Sequence, residues 1–301
     1  MNMIMAKSNE AIDAYKLVRA LQKRFEARDN ILFNTASVNV SQVHYDEDES
    51  KKLQSASAIS TIIHPKNPNV PSIHIHISLT QIKGSDSYWR VMADLNPSID
   101  NNEDKEVFVK ALKTLSKDTY EEGIKQGDKY FRGISHFYLE NYKTSNTKED
   151  YNFANSFGEG IIDTYIDIIS NAFNTRKNIL EEDKKKQLNY HTLYLFQVLT
   201  LDRGTTSGLL IHNQNDVGIM GSLPTFINKD LLKSWQEKAT KPQDELVSNL
   251  VEVINEDGKV DKKTKEKLAQ VVRVHYKKYP KALSMQASGN TVPSTVSNHK
   301  G

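Results

Sequence analysis

The chain has 301 residues, enough for one large hydrophobic core or one core with an appendage. Hydrophobic residues make up 38% and charged residues 26%, the balance of a folded protein with a heavily solvated surface. With 40 Lys and Arg against 38 Asp and Glu, the net charge of +2 gives no concentrated basic face for nucleic acid, and the lack of cysteine excludes disulfides, thiolate metal sites and cysteine nucleophiles.

The first residues, MNMIMAKSNEAID, lack the apolar core and cleavage site of a signal peptide, and no apolar run approaches the roughly 20 residues that span a bilayer. A cytoplasmic protein without a membrane span is expected. An amphipathic helix is predicted over 9–27, where Ile12, Tyr15, Val18, Leu21 and Phe25 recur at helical spacing. Residues 36–43 alternate instead, with Ala36, Val38 and Val40 on one face, and form a strand. A second strand, 58–63, leads into the turn-rich HPKNPNVP. In the strand 73–79, Ile73, Ile75, Ile77 and Leu79 take one face, so His74, His76 and Ser78 share the other. After a turn at Gly84 and Ser85, the strand 88–95 groups Trp89, Val91, Ala93 and Leu95, leaving Tyr88, Arg90, Met92 and Asp94 on its opposite face. Successive turn-linked strands predict an antiparallel sheet.

Helices are predicted over 103–125 and 151–174. HTLYLFQVLTL, at 191–201, is apolar on both faces and reads as a central strand covered on both sides. Short strands are predicted near 207–212 and 217–222, and helices again from Asn228 onward. The last residues, from Met285, lack periodicity and read as a disordered tail. NEDGKVD, at 255–261, has some features of a calcium loop, but its glycine is misplaced and no bidentate Glu follows.

His74 and His76, two apart on a strand, project in one direction. Two imidazoles so placed can ligate zinc or iron, with His64 or Asp94 as third ligand, giving the alternative metal set His64, His74, His76 and Asp94. They are equally compatible with solvated histidines on a half-exposed strand. A carboxylate on the neighbouring strand offers a third reading, in which Asp94 orients an imidazole for general acid–base work without a metal.

Five segments, in order, resemble the oxygen-dependent coproporphyrinogen III oxidases of haem biosynthesis. FNTASVNVSQVHY (33–45) is similar to that family's F-x-K-A-G-V-x-x-S-x-V strand, and SxxIHPKNPNVPSIH (60–74) to its S-x-x-x-H-P-x-N-P-x-x-P-x-x-H. ADLNP (93–97), LDRGTTSGL (201–209) and MGSLP (220–224) resemble D-L-T-P, D-R-G-T-x-F-G-L and M-S-L-P. The resemblance implies an α+β fold in which a large antiparallel sheet is sandwiched between helices, and a homodimer. It implies oxidative decarboxylation of porphyrinogen propionates to vinyl groups, with O2 as co-substrate and no cofactor required. By position it implies His74 as acid/base histidine, with His64 and Asp94 catalytic beside it. Ser60 and Arg203 are implied as substrate-binding. The resemblance ends near 254, so residues 1–254 are expected as the oxidase-like domain, 255–284 as a helical extension and 285–301 as the tail.

The departures fall on the substrate side. N-x-R after the histidine strand becomes His76 and Ser78, and three glycines become Arg90, Val91 and Met92. H-R-x-E-x-R-G-I-G-G is shortened to FRGISHF (131–137), which keeps Arg132. G-G-R-x-E becomes NQNDV (213–217), with Asn215 in place of arginine, and Val109 replaces a histidine. His76, Ser78, Arg90, Arg132 and Asn215 therefore join Ser60 and Arg203 as substrate-binding candidates. Because arginine is the natural bidentate partner of each carboxylate, its loss points to a smaller or less acidic substrate, another electron-rich aromatic acid, as the alternative to a porphyrinogen. A tetrapyrrole-binding homologue without turnover is the third alternative.

Overall fold

The structure, a computed structural model, describes residues 32–45, 48–128, 135–211 and 216–286. The helix expected over 9–27, and all of the expected tail beyond residue 286, lie outside the described residues. The chain divides into two compact units, one of Met1–Asp128 with Arg132–Lys177 and one of Lys129–Phe131 with Asn178–Gly301. That boundary falls inside the stretch expected as one domain.

The first unit is built on a sheet of β1 (Phe33–His44), β2 (Leu53–Pro65), β3 (Ser72–Ile82), β4 (Tyr88–Asn96) and β5 (Ser135–Tyr142), in the order β1-β2-β3-β4-β5. Every neighbouring pair is antiparallel. Its helices are α1 (Asn102–Ser116), α2 (Tyr120–Gly127) and α3 (Thr147–Thr175). Asn101 and Asn146 cap α1 and α3 by accepting from the N–H groups of Asp104 and of Lys148 and Glu149. The α+β class and the antiparallel sheet are as expected.

Period-two alternation gives this sheet two unlike faces. Ile73, Ile75, Ile77, Val91, Leu95 and Phe137 line one face and pack with Phe108 and Leu112 of α1 and Phe157 and Ile161 of α3. This is the core of the unit, and it leaves the histidine face for other uses. β5 was not among the predicted strands, although Phe137 and Leu139 alternate with His136, Tyr138 and Glu140 as a strand requires. The short helix α2 fixes this edge. A Cβ on Gly127 would lie 1.8 Å from the His136 carbonyl oxygen, and one on Gly123 would meet the Phe137 ring, so glycine alone lets the helix backbone lie on the strand.

The β2–β3 connection is held by a largely buried ion pair. Arg176, just past α3, makes two parallel bonds to Asp104 of α1, at 2.6 and 2.7 Å. The same guanidinium donates to the Asn69 carbonyl at 3.0 Å, and Asn67 Nδ2 donates to the Arg176 carbonyl at 2.8 Å. Asn67 also accepts from the N–H of Asn69 through its side chain, closing an Asx turn. Tyr165 donates to the Pro71 carbonyl at 2.9 Å and Ser98 to that of Pro68 at 2.8 Å.

The second unit is helical: α4 (Glu181–Thr200), α5 (Arg203–Ile211), α6 (Asp216–Ile219), α7 (Lys229–Ser234), α8 (Gln243–Val253) and α9 (Lys262–Lys278). This corrects the central strand predicted at 191–201, which is the buried half of α4. A helix buried all round carries no polar stripe to mark its period, and Thr192 and Thr200 satisfy their hydroxyls on the carbonyls of Leu188 and Phe196 one turn back. The strands predicted near 207–212 and 217–222 are corrected likewise. Asp202 accepts from the N–H of Gly204 and the hydroxyl of Thr205, both at 2.8 Å, and so starts a helix where a turn into a strand was expected. The helices expected after Asn228 are present.

The Arg176–Asp104 pair makes the first expected outcome. Asp104→Asn leaves a largely buried guanidinium without its counter-charge, so the first unit should lose about 3 kcal/mol in urea unfolding. Asp104→Glu, which keeps the charge, should lose less.

Candidate active site

The second face of the sheet is a grid of polar side chains, and strand register sets its rows. In one row Ile62, His74, Asp94 and His136 stand opposite one another across β2, β3, β4 and β5. The next row runs Ser60, His76, Met92, Tyr138, and the third Ala58, Ser78, Arg90. Directly opposed residues on an antiparallel pair have Cβ atoms about 4.5–5.5 Å apart, so the side chains of a row stand next to one another. Glu140 completes the third row because β5 bulges opposite Arg90. The register shifts between Trp89 and Val91, and Asn141 absorbs the extra residue at φ 60°.

Asp94 is 1% exposed, with His74, half-buried, on one side and His136, 3% exposed, on the other. His64 is 1% exposed at the end of β2, its Nδ1 3.0 Å from the Ser72 hydroxyl. His64, His74 and Asp94, the catalytic candidates, thus all lie on the polar face, as do Ser60, His76, Ser78 and Arg90.

The His76 ring is held at both nitrogens, Nδ1 by Ser60 Oγ at 2.7 Å and Nε2 by Ser78 Oγ at 3.2 Å. Burial, reinforced by the charge of Arg90, pushes its pKa down to about 3, so this imidazole is neutral at physiological pH. A neutral ring is one donor and one acceptor, and the two hydroxyls match it. Ser60, His76 and Ser78 form a charge-free chain of hydrogen bonds.

Arg90 is bound at Nε and Nη2 by the carboxylate of Glu140, each contact 2.7 Å. The Tyr138 hydroxyl donates to the same carboxylate. Burial works against the charge of Arg90, but the bonds to Glu140 outweigh it and hold the pKa above its ordinary value. The arginine on this face therefore arrives with its own carboxylate.

Among the described residues, no three His, Asp or Glu side chains converge as metal ligands would, so the alternative set of His64, His74, His76 and Asp94 is not gathered into a metal-binding cluster. Arg203 belongs to the second unit, where its Nη1 donates to the Leu283 carbonyl at 2.6 Å. Arg132 and Asn215 lie outside the described residues. The site candidates missed in the sequence are His136, Tyr138 and Glu140 on β5 and Ser72 on β3. The alternation of SHFYLENY is the signal that finds three of them.

The neutral state of His76 has a consequence for stability. Above pH about 6.5 the ring is uncharged folded or unfolded and contributes no pH dependence. Between about 6.5 and 3 the unfolded chain binds a proton that the folded one does not, so stability falls on acidification by up to about 1.4 kcal/mol per pH unit. In urea unfolding at pH 4–7, His76→Gln should reduce this slope by as much as one proton. An unchanged slope would mean that the folded protein accepts the proton.

The chain matches, over residues 20–256, the family described as coproporphyrinogen III oxidase. It is 25% identical over 260 residues to the mitochondrial oxygen-dependent coproporphyrinogen-III oxidase of Rattus norvegicus, covering 75% of this chain and 57% of that protein. To the corresponding protein of Homo sapiens it is 24% identical over 254 residues, covering 72% and 54%. It thus spans little more than half the length of these relatives. No helix among the described residues is long and apolar enough to cross a membrane. Since the match takes in most of the sequence and both polar-face histidine segments, the chain belongs to the coproporphyrinogen III oxidase family.

Proposed function

We propose that the protein is an aerobic oxidase of the coproporphyrinogen III oxidase type, which converts propionate side chains of a porphyrinogen to vinyl groups. The observation that carries this reading is the pairing of His74 with Asp94 across β3 and β4, on the polar face of a chain that matches the family from 20 to 256. O2 as co-substrate and assembly as a homodimer come with the resemblance.

The chemistry asks little of the protein beyond orientation and proton handling. An electron-rich pyrrole can pass electrons to O2 directly. Each propionate loses CO2 as its C–C bond to the carboxylate breaks and a C=C bond forms. The two electrons released reduce O2, with two protons, to hydrogen peroxide. A buried carboxylate at Asp94 can hold or take the pyrrole N–H proton, and the half-exposed His74 can pass a proton to or from solvent.

Anaerobically reduced coproporphyrinogen III, exposed to O2 with the full-length protein, should give one CO2 and one peroxide for each vinyl group formed. His74→Gln and Asp94→Asn should each lower kcat by about 10²–10⁴-fold. Absence of vinyl product at stoichiometric wild-type protein would overturn the reading, and tight binding without turnover would identify a tetrapyrrole binder instead.

One observation favours a second reading, in which the substrate is a less acidic aromatic acid. The guanidinium of Arg90 is neutralised by Glu140 and the neighbouring His76 is uncharged, so these two side chains offer a carboxylate no unpaired positive charge. Glu140→Gln releases the arginine. If substrate carboxylates approach this face, the variant should bind a tetracarboxylate porphyrin about 10-fold more tightly, the gain of one charge-assisted hydrogen bond. Unchanged affinity by fluorescence titration would place the carboxylates elsewhere.

A further inference from the structure

Ser60, His76 and Ser78 are joined by hydrogen bonds, and the order of donors along that chain decides what Ser60 can offer a ligand. Ser60 on β2 stands opposite His76 on β3, and Ser78 follows two residues along the same strand, so all three emerge on the polar face. Ser60 Oγ lies 2.7 Å from His76 Nδ1, and His76 Nε2 lies 3.2 Å from Ser78 Oγ. The backbone that carries them is fixed by Ile59, Ile75 and Ile77 in the hydrophobic core. Resting on the reading that this face receives the substrate, we propose that His76 is a positioning residue. With Ser78 behind it, it turns the Ser60 O–H outward as a neutral donor to an oxygen of a substrate carboxylate.

A neutral imidazole carries one N–H and one bare nitrogen, so the chain can run in only two directions. The two lengths permit either, and access to other acceptors decides between them. In one direction Ser60 donates to Nδ1 and Nε2–H donates to Ser78. The Ser78 proton then needs a further acceptor, and at 4% exposure it must find one inside the protein. Among the described residues, Ser78 has no hydrogen bond other than that to His76. A buried donor left without an acceptor costs about 1–3 kcal/mol. In the opposite direction Ser78 donates to Nε2, Nδ1–H donates to Ser60, and the Ser60 proton is left over. Ser60 is half-exposed, so that proton can turn to the open side of the sheet, where solvent or a ligand accepts it. Every donor in the chain is then used.

Hydrogen bonds that run head to tail polarise one another, so the last O–H is a stronger donor than that of an isolated serine. It also brings no charge to the face. The Arg90 guanidinium on the same face is already paired with Glu140, so a substrate carboxylate at Ser60 is met by a polarised hydroxyl. His76 and Ser78, which the sequence alone assigns to substrate contact, act through Ser60.

In full-length protein with 15N-labelled histidine, the ring nitrogen shifts should show His76 neutral with its proton on Nδ1, the less common tautomer of a free histidine side chain. Ser78→Ala removes the donor to Nε2 and should move the proton there. Coproporphyrin III, a fluorescent tetracarboxylate, serves as the binding probe. Ser60→Ala should weaken its binding about 10-fold, the loss of one charge-assisted hydrogen bond, and His76→Phe by a similar factor. Adding His76→Phe to Ser60→Ala should cost nothing more, because the histidine acts only through the serine. His76→Asn, whose amide N–H can stand in for Nδ1–H, should regain part of the affinity. A wild-type proton on Nε2 would overturn the proposal and, with vinyl product still formed, leave the oxidase reading standing. Wild-type affinity in folded Ser60→Ala, or no porphyrin binding by the wild type, would overturn it as well. If His76→Phe does not fold, the wild-type tautomer and the Ser60→Ala titration decide the matter. The expected tautomer and titrations without vinyl product would remove the oxidase reading and uphold the role of His76.

Discussion

The geometry of the candidate site depends on the ion pair of Arg176 and Asp104, which holds the β2–β3 connection. Arg176 and Asp104 tie the end of α3 to the start of α1, and the bonds of Arg176 to Asn69 and Asn67 fix the turn between β2 and β3. That turn sets which residue of β2 faces which residue of β3. A slip of one residue in a two-faced sheet carries every side chain to the opposite face. His64, Ser60 and Ala58 would then point into the hydrophobic core, and Ile59 and Ile63 into the polar grid. The turn residues HPKNPNVP thus serve a structural purpose that their position next to the catalytic candidates conceals. They hold two strands in register so that the Ser60–His76 and His64–Ser72 contacts form.

Once register is fixed, the same alternation builds the core and the site together. The isoleucines that bury one face against α1 and α3 also determine that His74, His76 and Ser78 emerge on the other. That polar grid divides by row. The Asp94 row sets one carboxylate in register between His74 and His136. The His76 row is neutral, its ring held by hydroxyls at both nitrogens. The Arg90 row carries opposite charges that cancel each other through Glu140. The neutral and the ion-paired side chains therefore occupy separate rows of one surface, and the charge of Arg90 is balanced from within the protein.

What the sequence revealed, and what it hid, follows from how each element is buried. β2 to β4 are each buried on one face and polar on the other, so their period is written in the residues, and β1 shows the same alternation although Ala36 and Val40 are exposed. α3 is legible for the same reason, with Phe157, Ile161, Tyr165 and Ile168 on one stripe. The second half of α4 is buried on all sides and shows no period, so HTLYLFQVLTL looks like a strand while folding as a helix. α5 was hidden differently. Its start depends on the Asp202 side chain capping Gly204 and Thr205, a local hydrogen bond that a turn-forming Asp-Arg-Gly does not advertise. β5 carries a visible alternation, but it is short and its register depends on the left-handed Asn141 and on two glycines of a separate helix. Pairings such as Arg90 with Glu140 join residues 50 apart along the chain, and only the folded register brings them together.

The segment beyond the family match offers a last constraint. The match ends at 256, yet α9 begins at Lys262 and supplies part of the second unit's interior. Arg273 donates from Nε to the Leu209 carbonyl at 2.7 Å and pairs with Asp216 through its terminal nitrogens. Leu283 accepts from Arg203, and Gln286 donates to Thr206 at 2.7 Å. His275 and Tyr276 of α9 close on Gln243, which in turn donates to the Thr200 carbonyl. The helix bearing the DRGT motif is thus held at its first residue, its middle and its end by groups that lie outside the matched region. A buried guanidinium left without such partners would be costly, so the motif and the extension are energetically one structure. An arginine bonded to a carbonyl of its own chain has less of its charge to give a ligand. Arg90, paired with Glu140, and Arg203, bonded to the Leu283 carbonyl, are alike in one respect, because each is engaged within the protein although the sequence alone would assign it to substrate.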